Sequence, residues 1–277
     1  MTPIALTIAG SDSSGGAGIE ADLKTFSALG VYGATVITAL TAQNTKEVRA
    51  IHAVPAEFVA AQIDAVFSDL RVNAVKIGML WQAEVIKTVA AALGRWDPGN
   101  VVLDPVLVAT SGARLLAPSA LELLKRTLFP CARLLTPNLL EAAALLDASV
   151  AQSEEDMREQ GERLLGFGPR AVLMKGGHGA GAQSIDLLIK SDHCMRLVAD
   201  RITTRSGHGT GCTLSAAIAA GLAKGLDLVE AVRCAKEFVT AALAAADALE
   251  VGSGRGPVHQ FHGILAKAAR LLRRRRR

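Results

Sequence analysis

Long hydrophobic runs are missing from this sequence of 277 residues. No uninterrupted apolar segment reaches the roughly 20 residues that a membrane helix needs, and the first apolar run follows Met1-Thr2-Pro3 without a preceding positive charge. Cysteine is also scarce: the four cysteines form no C-x-x-C pair and have no histidine at metal-ligand spacing. We therefore expect a cytoplasmic protein with no membrane span, no disulfide framework and no zinc site.

Positive charge is nearly balanced once the last residues are set aside. The formal net charge is +4, but the five arginines at 273–277 exceed it, so the rest of the chain carries −1. We expect no nucleic-acid binding by the folded body, and we treat residues 266–277 as a basic tail. Half of the residues are hydrophobic and 20% are charged, and no linker divides the chain. This composition predicts one compact domain over residues 1–265.

Two nucleotide-binding signatures are absent as well. No G-x-x-x-x-G-K-[ST] loop occurs, and the glycines after the first apolar run, at positions 10, 15, 16 and 18, do not form a clean G-x-G-x-x-G. The first absence argues against a Walker-type nucleoside triphosphatase. The second makes a dinucleotide oxidoreductase the weaker choice among α/β enzymes.

Short apolar segments alternate with helical patterns along some 250 residues. This alternation predicts right-handed crossovers and a largely parallel sheet covered by helices on both faces. Residues 31–41 are rich in β-branched side chains and predict one buried strand, whereas 185–189 and 194–198 predict an antiparallel pair. Residues 227–249 predict one long helix. A further helix is expected after Pro55, with its apolar faces formed by Phe58, Ile63, Val66 and Phe67.

Polar residues stand at or just after the ends of several predicted strands. Such positions lie beyond the carboxyl ends of neighbouring strands, where ligands bind in sheets of this kind. Any one of them has an alternative interpretation as an ordinary loop residue, but five convergent positions favour a binding site. These positions are Gln43, Met79, Asp104, Asn138 and Lys175.

Three alternate glycines, Gly207, Gly209 and Gly211, precede a run of small apolar residues that predicts a helix. Glycine lets the backbone approach a ligand closely, and the first turn of a helix leaves amide groups unpaired. Because the helix dipole favours negative charge there, the motif predicts a phosphate site. The same field would stabilise a thiolate at Cys212 for proton transfer or nucleophilic attack. A plain helix cap with a small buried cysteine remains the alternative for this motif taken alone.

The remaining candidate groups fit phosphoryl transfer. Asp104 is a hard oxygen ligand suited to Mg²⁺, directly or through water. Asn138 and Glu141 share one face of a helix start and could serve the same metal, although Glu141 could also act simply on the helix dipole. Lys175 precedes two glycines and can reach phosphate oxygens as a mobile charge. Acids, a lysine and a helix N-terminus together predict a phosphotransferase site.

The motifs resemble those of the hydroxymethylpyrimidine kinase / phosphomethylpyrimidine kinase family, a branch of the ribokinase-like superfamily. Cysteine at position 212, where other ribokinase-like enzymes have an aspartate base, is characteristic of this branch and of some pyridoxal kinases. The resemblance implies a three-layer αβα fold with a mostly parallel central sheet and antiparallel edge strands. The matching stretches are residues 9–33, 41–45, 76–80, 136–141, 172–178, 208–215 and 249–262.

The resemblance also implies roles for individual residues. The residues that it implies to be catalytic are Cys212, Gly209, Gly211 and Lys175. The pyrimidine is expected at Gln43, Ala17, Thr41, Met79, Val106, Asp22 and Gly10. ATP is expected at Lys175, Asn138, Thr210 and Gly209, and Mg²⁺ at Asp104 and Glu141. Gln43 suits the pyrimidine, because its side-chain amide offers one donor and one acceptor to an aminopyrimidine edge.

The activity implied by the resemblance is ATP- and Mg²⁺-dependent phosphorylation of 4-amino-5-hydroxymethyl-2-methylpyrimidine, and then of its monophosphate, in thiamine biosynthesis. A homodimer is expected, with no nucleic-acid or membrane partner. Two alternatives stay open. A pyridoxal kinase would share the fold and the cysteine, and a non-catalytic pyrimidine-binding module would be expected to lack Asp104, Lys175 or Cys212, all of which are present.

Overall fold

The computed structural model describes residues 1–107, 116, 120–177 and 181–263. The predicted domain boundary at residue 265, the basic tail 266–277 and its arginines at 273–277 lie outside the described residues. None of the helices within the described ranges has the length and apolar character needed to cross a membrane.

Strands and helices alternate along most of the described chain. The strands are β1 (Ile4–Ala9), β2 (Tyr32–Ile37), β3 (Ala39–Gln43), β4 (Val48–Ala53), β5 (Ala74–Ile77), β6 (Val101–Leu103), β7 (Leu134–Leu135), β8 (Val172–Lys175), β9 (Gln183–Ile189) and β10 (Cys194–Asp200). The helices are α1 (Gly18–Ala28), α2 (Ala56–Phe67), α3 (Ala83–Trp96), α4 (Leu121–Thr127), α5 (Leu139–Leu146), α6 (Glu154–Leu165), α7 (Thr210–Ala223) and α8 (Leu228–Ala244). Short 3₁₀ turns cover Phe129–Cys131 and Ala246–Ala248.

The main sheet has the strand order β10-β9-β8-β7-β6-β5-β1-β2 within the described residues. Six neighbouring strands run parallel to one another: β2, β1, β5, β6, β7 and β8. At one edge of the sheet, β9 is antiparallel to both β8 and β10. Strands β3 and β4 form a separate antiparallel pair. The predicted mostly parallel sheet with antiparallel edge strands is therefore confirmed. Because β5 to β8 run the same way, the loops that follow them meet at one edge.

Successive residues of the central strands point to opposite faces of the sheet. Leu6 and Ile8 of β1 pack in the core that helices α2 to α6 cover, whereas Ala5 packs in the core that α1, α7 and α8 cover. By the same alternation, Thr7 of β1 and its neighbour Lys76 of β5 point toward α1 and α7. Two polar side chains thus lie inside the second core, directly behind the start of α7.

The single strand predicted over residues 31–41 is wrong. The chain leaves the main sheet at Thr38, whose amide donates to Ala9 O at 3.0 Å and whose hydroxyl donates to Met79 O at 2.6 Å. Strand β1 ends at Ala9, so the following residues find no neighbour in the main sheet and pair with β4 instead. The segment is also not uniformly buried, since Tyr32 is exposed on an edge strand.

Two helix predictions also need correction. The helix predicted over 227–249 ends at Ala244, and a 3₁₀ turn follows. Asp227 is its N-cap, because the Asp227 side chain accepts from Glu230 N at 2.9 Å. In α2 the buried side chains are Val59 and Ile63, whereas Phe58 is 60% exposed and faces away from the core.

Candidate active site

A cavity of about 780 Å³ lies at the carboxyl ends of the parallel strands. It brings together every predicted site residue except Asp22. The lining residues among them are Gly10, Ala17, Thr41, Gln43, Met79, Asp104, Val106, Asn138, Glu141, Lys175, Gly209, Thr210, Gly211 and Cys212. This volume lies within the range of about 300–1,000 Å³ that is common for small-molecule sites.

The N-terminus of α7 faces this cavity. Gly209 precedes the helix with φ of 79°, and no side chain caps the first turn. The amides at the start of α7 are therefore left for a ligand. A Cβ on Gly209 would lie 1.9 Å from Gly16 O, so only glycine allows this loop to touch the loop formed by residues 10–18. A Cβ on Gly211 would lie 3.3 Å from Lys175 Nζ, which puts a cation opposite the amides.

The thiolate expected at Cys212 is not favoured by its surroundings. Burial raises the pKa of this thiol to about 11, although the charge of Lys76 and a hydrogen bond from the Gly18 amide act in the opposite direction. The helix N-terminus alone therefore does not ionise the sulfur, because desolvation of the anion outweighs the favourable field. With this pKa, Cys212 is a neutral thiol at neutral pH.

Lys175 links the two predicted metal ligands. Its Nζ donates to Asp104 Oδ1 at 2.8 Å and lies 3.8 Å from Glu141 Oε2. Burial opposes ionisation of Asp104, but the nearby lysines, with hydrogen bonds from Lys175 and Thr136, lower its pKa overall. Burial raises the pKa of Glu141 to about 7. Strands β6, β7 and β8 are adjacent, which explains why residues at or near their ends meet here.

Glu141 also serves α5 as a cap. Its Oε2 accepts from Asn138 N at 2.8 Å, and Asn138 Oδ1 accepts from Glu141 N at 2.9 Å, which forms a capping box. Glu141 therefore has the structural role that was the alternative for it, at the N-terminus of α5, and this role is compatible with metal binding. Asn138 is held at the cavity wall by the same box, with its amide oxygen already engaged.

The acids at this site fit a magnesium ion that arrives with a phosphate ligand. Within the described ranges no group of three or more His, Cys, Asp or Glu side chains is placed to hold a metal. Mg²⁺ commonly binds one or two carboxylates and completes its shell with phosphate oxygens and water. Asp104 and Glu141 supply such a donor set, whereas an ion held by protein ligands alone would need more.

Asp12 organises the loop of residues 10–18, and sequence reasoning missed it. Its carboxylate accepts from the amides of Ser14, Gly16 and Ala17 and from the Ser14 hydroxyl. Burial opposes its ionisation, but hydrogen bonds from His208 and Ser14 hold the pKa at about 2. Glu20 supports the same turn, because its Oε2 accepts from Asp12 N at 2.7 Å. An aspartate at the start of a glycine loop was the available signal.

Gln43 and His208 meet at the edge of this loop. Ser13 Oγ donates to Gln43 O and accepts from Gln43 N, both at 2.8 Å, which fixes the backbone of Gln43. His208 Nε2 lies 2.7 Å from Asp12 Oδ2 and 3.3 Å from Gln43 Nε2. His208 lies between the glycines of the α7 motif, but the sequence indicates no role for it, because its partner Asp12 is 196 residues away.

Asp22 does not line the cavity. It is fully buried in α1, where its Oδ2 accepts from Lys76 Nζ at 2.8 Å and from Thr7 Oγ1 at 2.6 Å. Burial opposes the charge of Lys76, but Asp22 raises the pKa of this lysine above its ordinary value. The substrate contact expected for Asp22 is therefore wrong; the residue instead neutralises a buried cation behind Cys212.

The cavity continues past Lys175 into a region that sequence reasoning did not identify. Lys236 of α8 donates to Asp186 Oδ2 at 2.7 Å and to Ser184 Oγ at 3.0 Å. Asp186 Oδ1 in turn accepts from Gly176 N at 2.9 Å, which holds the turn after β8. The walls include the aliphatic side chains of Val239 and Leu243. This part can hold a flat group against apolar walls with polar contacts at its rim.

A mostly parallel sheet between helices, with an uncapped helix N-terminus facing a lysine and two carboxylates, defines a phosphotransferase of the ribokinase-like class. The family profile for phosphomethylpyrimidine kinase matches residues 12–259. The hydroxymethylpyrimidine/phosphomethylpyrimidine kinase of Rhizobium meliloti (strain 1021) is 59% identical over 262 residues, which are 95% of this chain and 98% of that protein. The chain belongs to the phosphomethylpyrimidine kinase family.

Solved structures agree with this assignment. Phosphomethylpyrimidine kinase from Clostridium difficile 630 is 44% identical, with a TM-score of 0.76 over 86% of this chain and 97% of that one. Pyridoxal kinase from Bacillus subtilis, solved as an ADP complex, is 34% identical, with a TM-score of 0.88 over 96% of this chain and 100% of that one. The fold is therefore shared by phosphomethylpyrimidine kinases and pyridoxal kinases.

Proposed function

We propose that this chain uses ATP to phosphorylate the hydroxymethyl group of 4-amino-5-hydroxymethyl-2-methylpyrimidine and then phosphorylates the monophosphate, in thiamine biosynthesis. One observation carries the proposal: the uncapped start of α7 faces a cation and an acid across the cavity. A Cβ on Gly211 would lie 3.3 Å from Lys175 Nζ and 3.7 Å from Asp104 Oδ2. Membership of the family supports the choice of substrate.

The pyrimidine occupies the end of the cavity near Gln43. Ala17, Met79 and Val106 supply apolar contacts around a flat ring, and Gln43 supplies one donor and one acceptor for its polar edge. Cys212 adjoins this end, since its sulfur accepts a hydrogen bond from the Gly18 amide of the same loop. The hydroxymethyl group would then point toward the start of α7.

The phosphates of ATP occupy the middle of the cavity. The amides of Gly209 to Cys212 and the dipole of α7 stabilise the negative charge that develops on the transferred group. Lys175 adds a fixed positive charge on the other side. Asp104 and Glu141 would hold Mg²⁺, which when bound supplies further positive charge to the phosphate oxygens.

The base and ribose of ATP occupy the region beside α8. Val239 and Leu243 provide apolar surface, while Lys236, Asp186 and Thr240 provide polar groups at the rim. The ADP complex of the Bacillus subtilis relative supports an adenine nucleotide as the donor in this fold. The two ligands would therefore meet at α7 from opposite ends of the cavity.

The first reaction forms a bond between the hydroxymethyl oxygen and the γ-phosphorus, breaks the bond from that phosphorus to the β-phosphate oxygen, and releases the alcohol proton. We assign Cys212 to receive this proton once its thiolate forms. Burial opposes that thiolate, but Lys76 and the Gly18 amide favour it. The monophosphate needs no such group, because its second pKa is near 6 and it is already largely a dianion.

The homodimer expected from the resemblance is part of this proposal. Tyr32 on the edge strand β2 and Leu40 on β3 are 57% and 44% exposed, and burial against a second copy would remove this apolar surface from water. Sedimentation equilibrium should give twice the chain mass, and Leu40→Glu should shift the mass toward the monomer. A monomer at micromolar concentration would contradict this part of the proposal.

ADP release from the purified chain with three candidate acceptors tests the activity. We expect turnover with the hydroxymethylpyrimidine and with its monophosphate, loss of turnover on chelation of Mg²⁺, and a much lower rate with pyridoxal. Lys175→Gln should abolish both reactions. Lys224→Gln is the matched control, because Lys224 is exposed at the far end of α7. Preferential use of pyridoxal, or no turnover with any acceptor, would reject the proposed function.

A further inference from the structure

The contacts of His208 reach three separate parts of the chain: the loop of residues 10–18, Gln43, and residues 256–258. Its amide donates to Gly256 O at 3.0 Å, and its carbonyl accepts from Val258 N at 3.2 Å. Its ring packs against Gly16, where a Cβ would lie 2.4 Å from His208 Cδ2. The residue is only 8% exposed, so both backbone and ring are held in one position.

Asp12 determines which atom of the imidazole carries a proton. The carboxylate is 1% exposed and accepts hydrogen bonds from Ser14, Gly16 and Ala17, and these donors stabilise its charged form. A charged carboxylate only accepts hydrogen bonds. Since His208 Nε2 lies 2.7 Å from Asp12 Oδ2, this nitrogen must carry a hydrogen.

The proton on His208 Nε2 in turn determines the orientation of the Gln43 amide. The atom placed 3.3 Å from His208 Nε2 is Gln43 Nε2, and two N–H donors facing each other repel, so exchange of the two amide atoms puts an acceptor at this position. Rotation about the last side-chain bond exchanges the amide oxygen and nitrogen, so the stable arrangement has Oε1 toward His208 and Nε2 toward Thr41.

Thr41 completes the same network. Its hydroxyl lies 3.3 Å from the atom placed as Gln43 Oε1 and 2.9 Å from Ser11 O, and the shorter contact takes its hydrogen. The Thr41 oxygen is therefore an acceptor toward Gln43, which suits the amide nitrogen. Both ends of the Gln43 amide thus require the same orientation, and the remaining lone pair and N–H are left for the cavity.

We propose that His208 is a specificity-determining positioning residue: by holding the Gln43 amide in one orientation, it makes the cavity select a 4-amino over a 4-oxo pyrimidine. The 4-amino ring offers a donor at the amino group and an acceptor at N3, whereas the 4-oxo ring offers an acceptor at O4 and a donor at N3. A free amide could rotate to pair with either ring, but a fixed amide pairs with one. This inference rests on the proposed pyrimidine site at Gln43.

The test compares kcat/KM for 4-amino-5-hydroxymethyl-2-methylpyrimidine and for its 4-oxo analogue. We expect the wild type to prefer the amino compound by about 10- to 100-fold, the range for a mispaired buried group. His208→Leu should reduce this preference at least about tenfold without changing the KM for ATP. His208→Gln should keep it, because Asp12 would orient the new amide with its nitrogen as donor.

A double-variant comparison separates positioning from general damage. In a Gln43→Leu background, adding His208→Leu should leave the ratio between the two pyrimidines unchanged, since no amide remains to be oriented. His193→Leu is the matched control: it removes another histidine–aspartate contact, 2.8 Å to Asp192, on an exposed hairpin. If His208→Leu proves unstable, Thr41→Val tests the other end of the network and should also lower the ratio.

The outcomes distinguish the inference from the proposed function. If the wild type phosphorylates neither pyrimidine, the proposed function fails. Suppose instead that the wild type prefers the amino compound. If the folded His208→Leu variant keeps the full ratio of the two kcat/KM values, the positioning role of His208 is wrong. The same holds for Thr41→Val if that variant is used in its place. The positioning role would also be wrong if His208→Leu changed the ratio of the two kcat/KM values equally in the wild type and in the Gln43→Leu background. His208 would then act without the Gln43 amide.

Discussion

Cys212→Ala should separate the two phosphorylation steps. The alcohol acceptor must lose a proton as it attacks, whereas the monophosphate, with a second pKa near 6, is already largely a dianion at neutral pH. The amides of α7 and Lys175 act on both transition states alike. Loss of the thiol should therefore slow the first reaction selectively.

The magnitude follows from the environment of the sulfur. Burial raises the pKa of Cys212 from 9.0 to about 11, which corresponds to about 3 kcal/mol against the thiolate. At pH 7 only about one sulfur in 10⁴ is ionised. General-base assistance is typically worth about 10²- to 10⁴-fold, so we expect a loss in that range for the alcohol and less than about tenfold for the monophosphate.

The pH dependence gives a second readout with a defined sign. Because the pKa of Cys212 lies above neutrality, the sulfur keeps its proton at pH 7 and the thiolate fraction grows as the pH rises. In the wild type, kcat/KM for the alcohol should increase from pH 7 to pH 9. Cys212→Ala should remove this increase, and the monophosphate reaction should lack it in both proteins.

ADP release with each acceptor supplied separately measures the two steps. Cys234→Ala is the matched control, since Cys234 is exposed on α8 and does not line the cavity. Equal losses in both reactions would refute the argument and would mean that Cys212 acts through packing. A wild-type alcohol reaction that is flat between pH 7 and pH 9 would refute proton transfer to the sulfur.

Three further predictions concern the pyrimidine site, the anion loop and the buried ion pair. Gln43→Leu should raise the KM for the pyrimidine about 5- to 150-fold, since one lost partner costs about 1–3 kcal/mol, and equal changes in both substrate KM values would contradict the site. Gly209→Ala should lower both kcat and Tm, because a Cβ there would lie 1.9 Å from Gly16 O. Gly207→Ala should leave Tm nearly unchanged, because a Cβ at that position would lie 3.9 Å from Thr210 Oγ1. Similar Tm values for the two variants would be inconsistent with the loop contact. Asp22→Asn should lower the free energy of unfolding in urea by about 3–5 kcal/mol by leaving Lys76 uncompensated, while Asp192→Asn, in an exposed ion pair, should leave the unfolding midpoint nearly unchanged. A wild-type unfolding midpoint for Asp22→Asn would show that the buried pair does not support the fold.

Local patterns were sufficient to predict the class of fold. The periodicity of apolar residues is a short-range property, and it indicated most of the strands and helices and the mostly parallel sheet. The position of Thr38 at the end of one strand and the start of another was not predictable in this way. That break depends on where β1 ends and on a hydroxyl that donates to Met79 O, a residue 41 positions away.

The same distinction applies to the site. Residues at the ends of adjacent parallel strands must meet, so Asp104, Asn138 and Lys175 could be grouped from their sequence positions alone. Glycine spacing likewise indicated the anion-binding start of α7. These features follow from backbone geometry, which neighbouring residues in the chain largely dictate.

Burial and long-range pairing required the tertiary structure. Asp12 and His208 are 196 residues apart, and neither has a local signal for the other. Asp22 carries a charge suited to a ligand, but α1 places it inside the core against Lys76 and Thr7, which are neighbours on β5 and β1. The pKa of Cys212 depends on how completely folding removes water from the sulfur, which composition and spacing do not determine. Sequence by itself therefore specified the fold class and most of the residues around the cavity, whereas the tertiary structure decided which of them are charged, which face the cavity and which hold another in place.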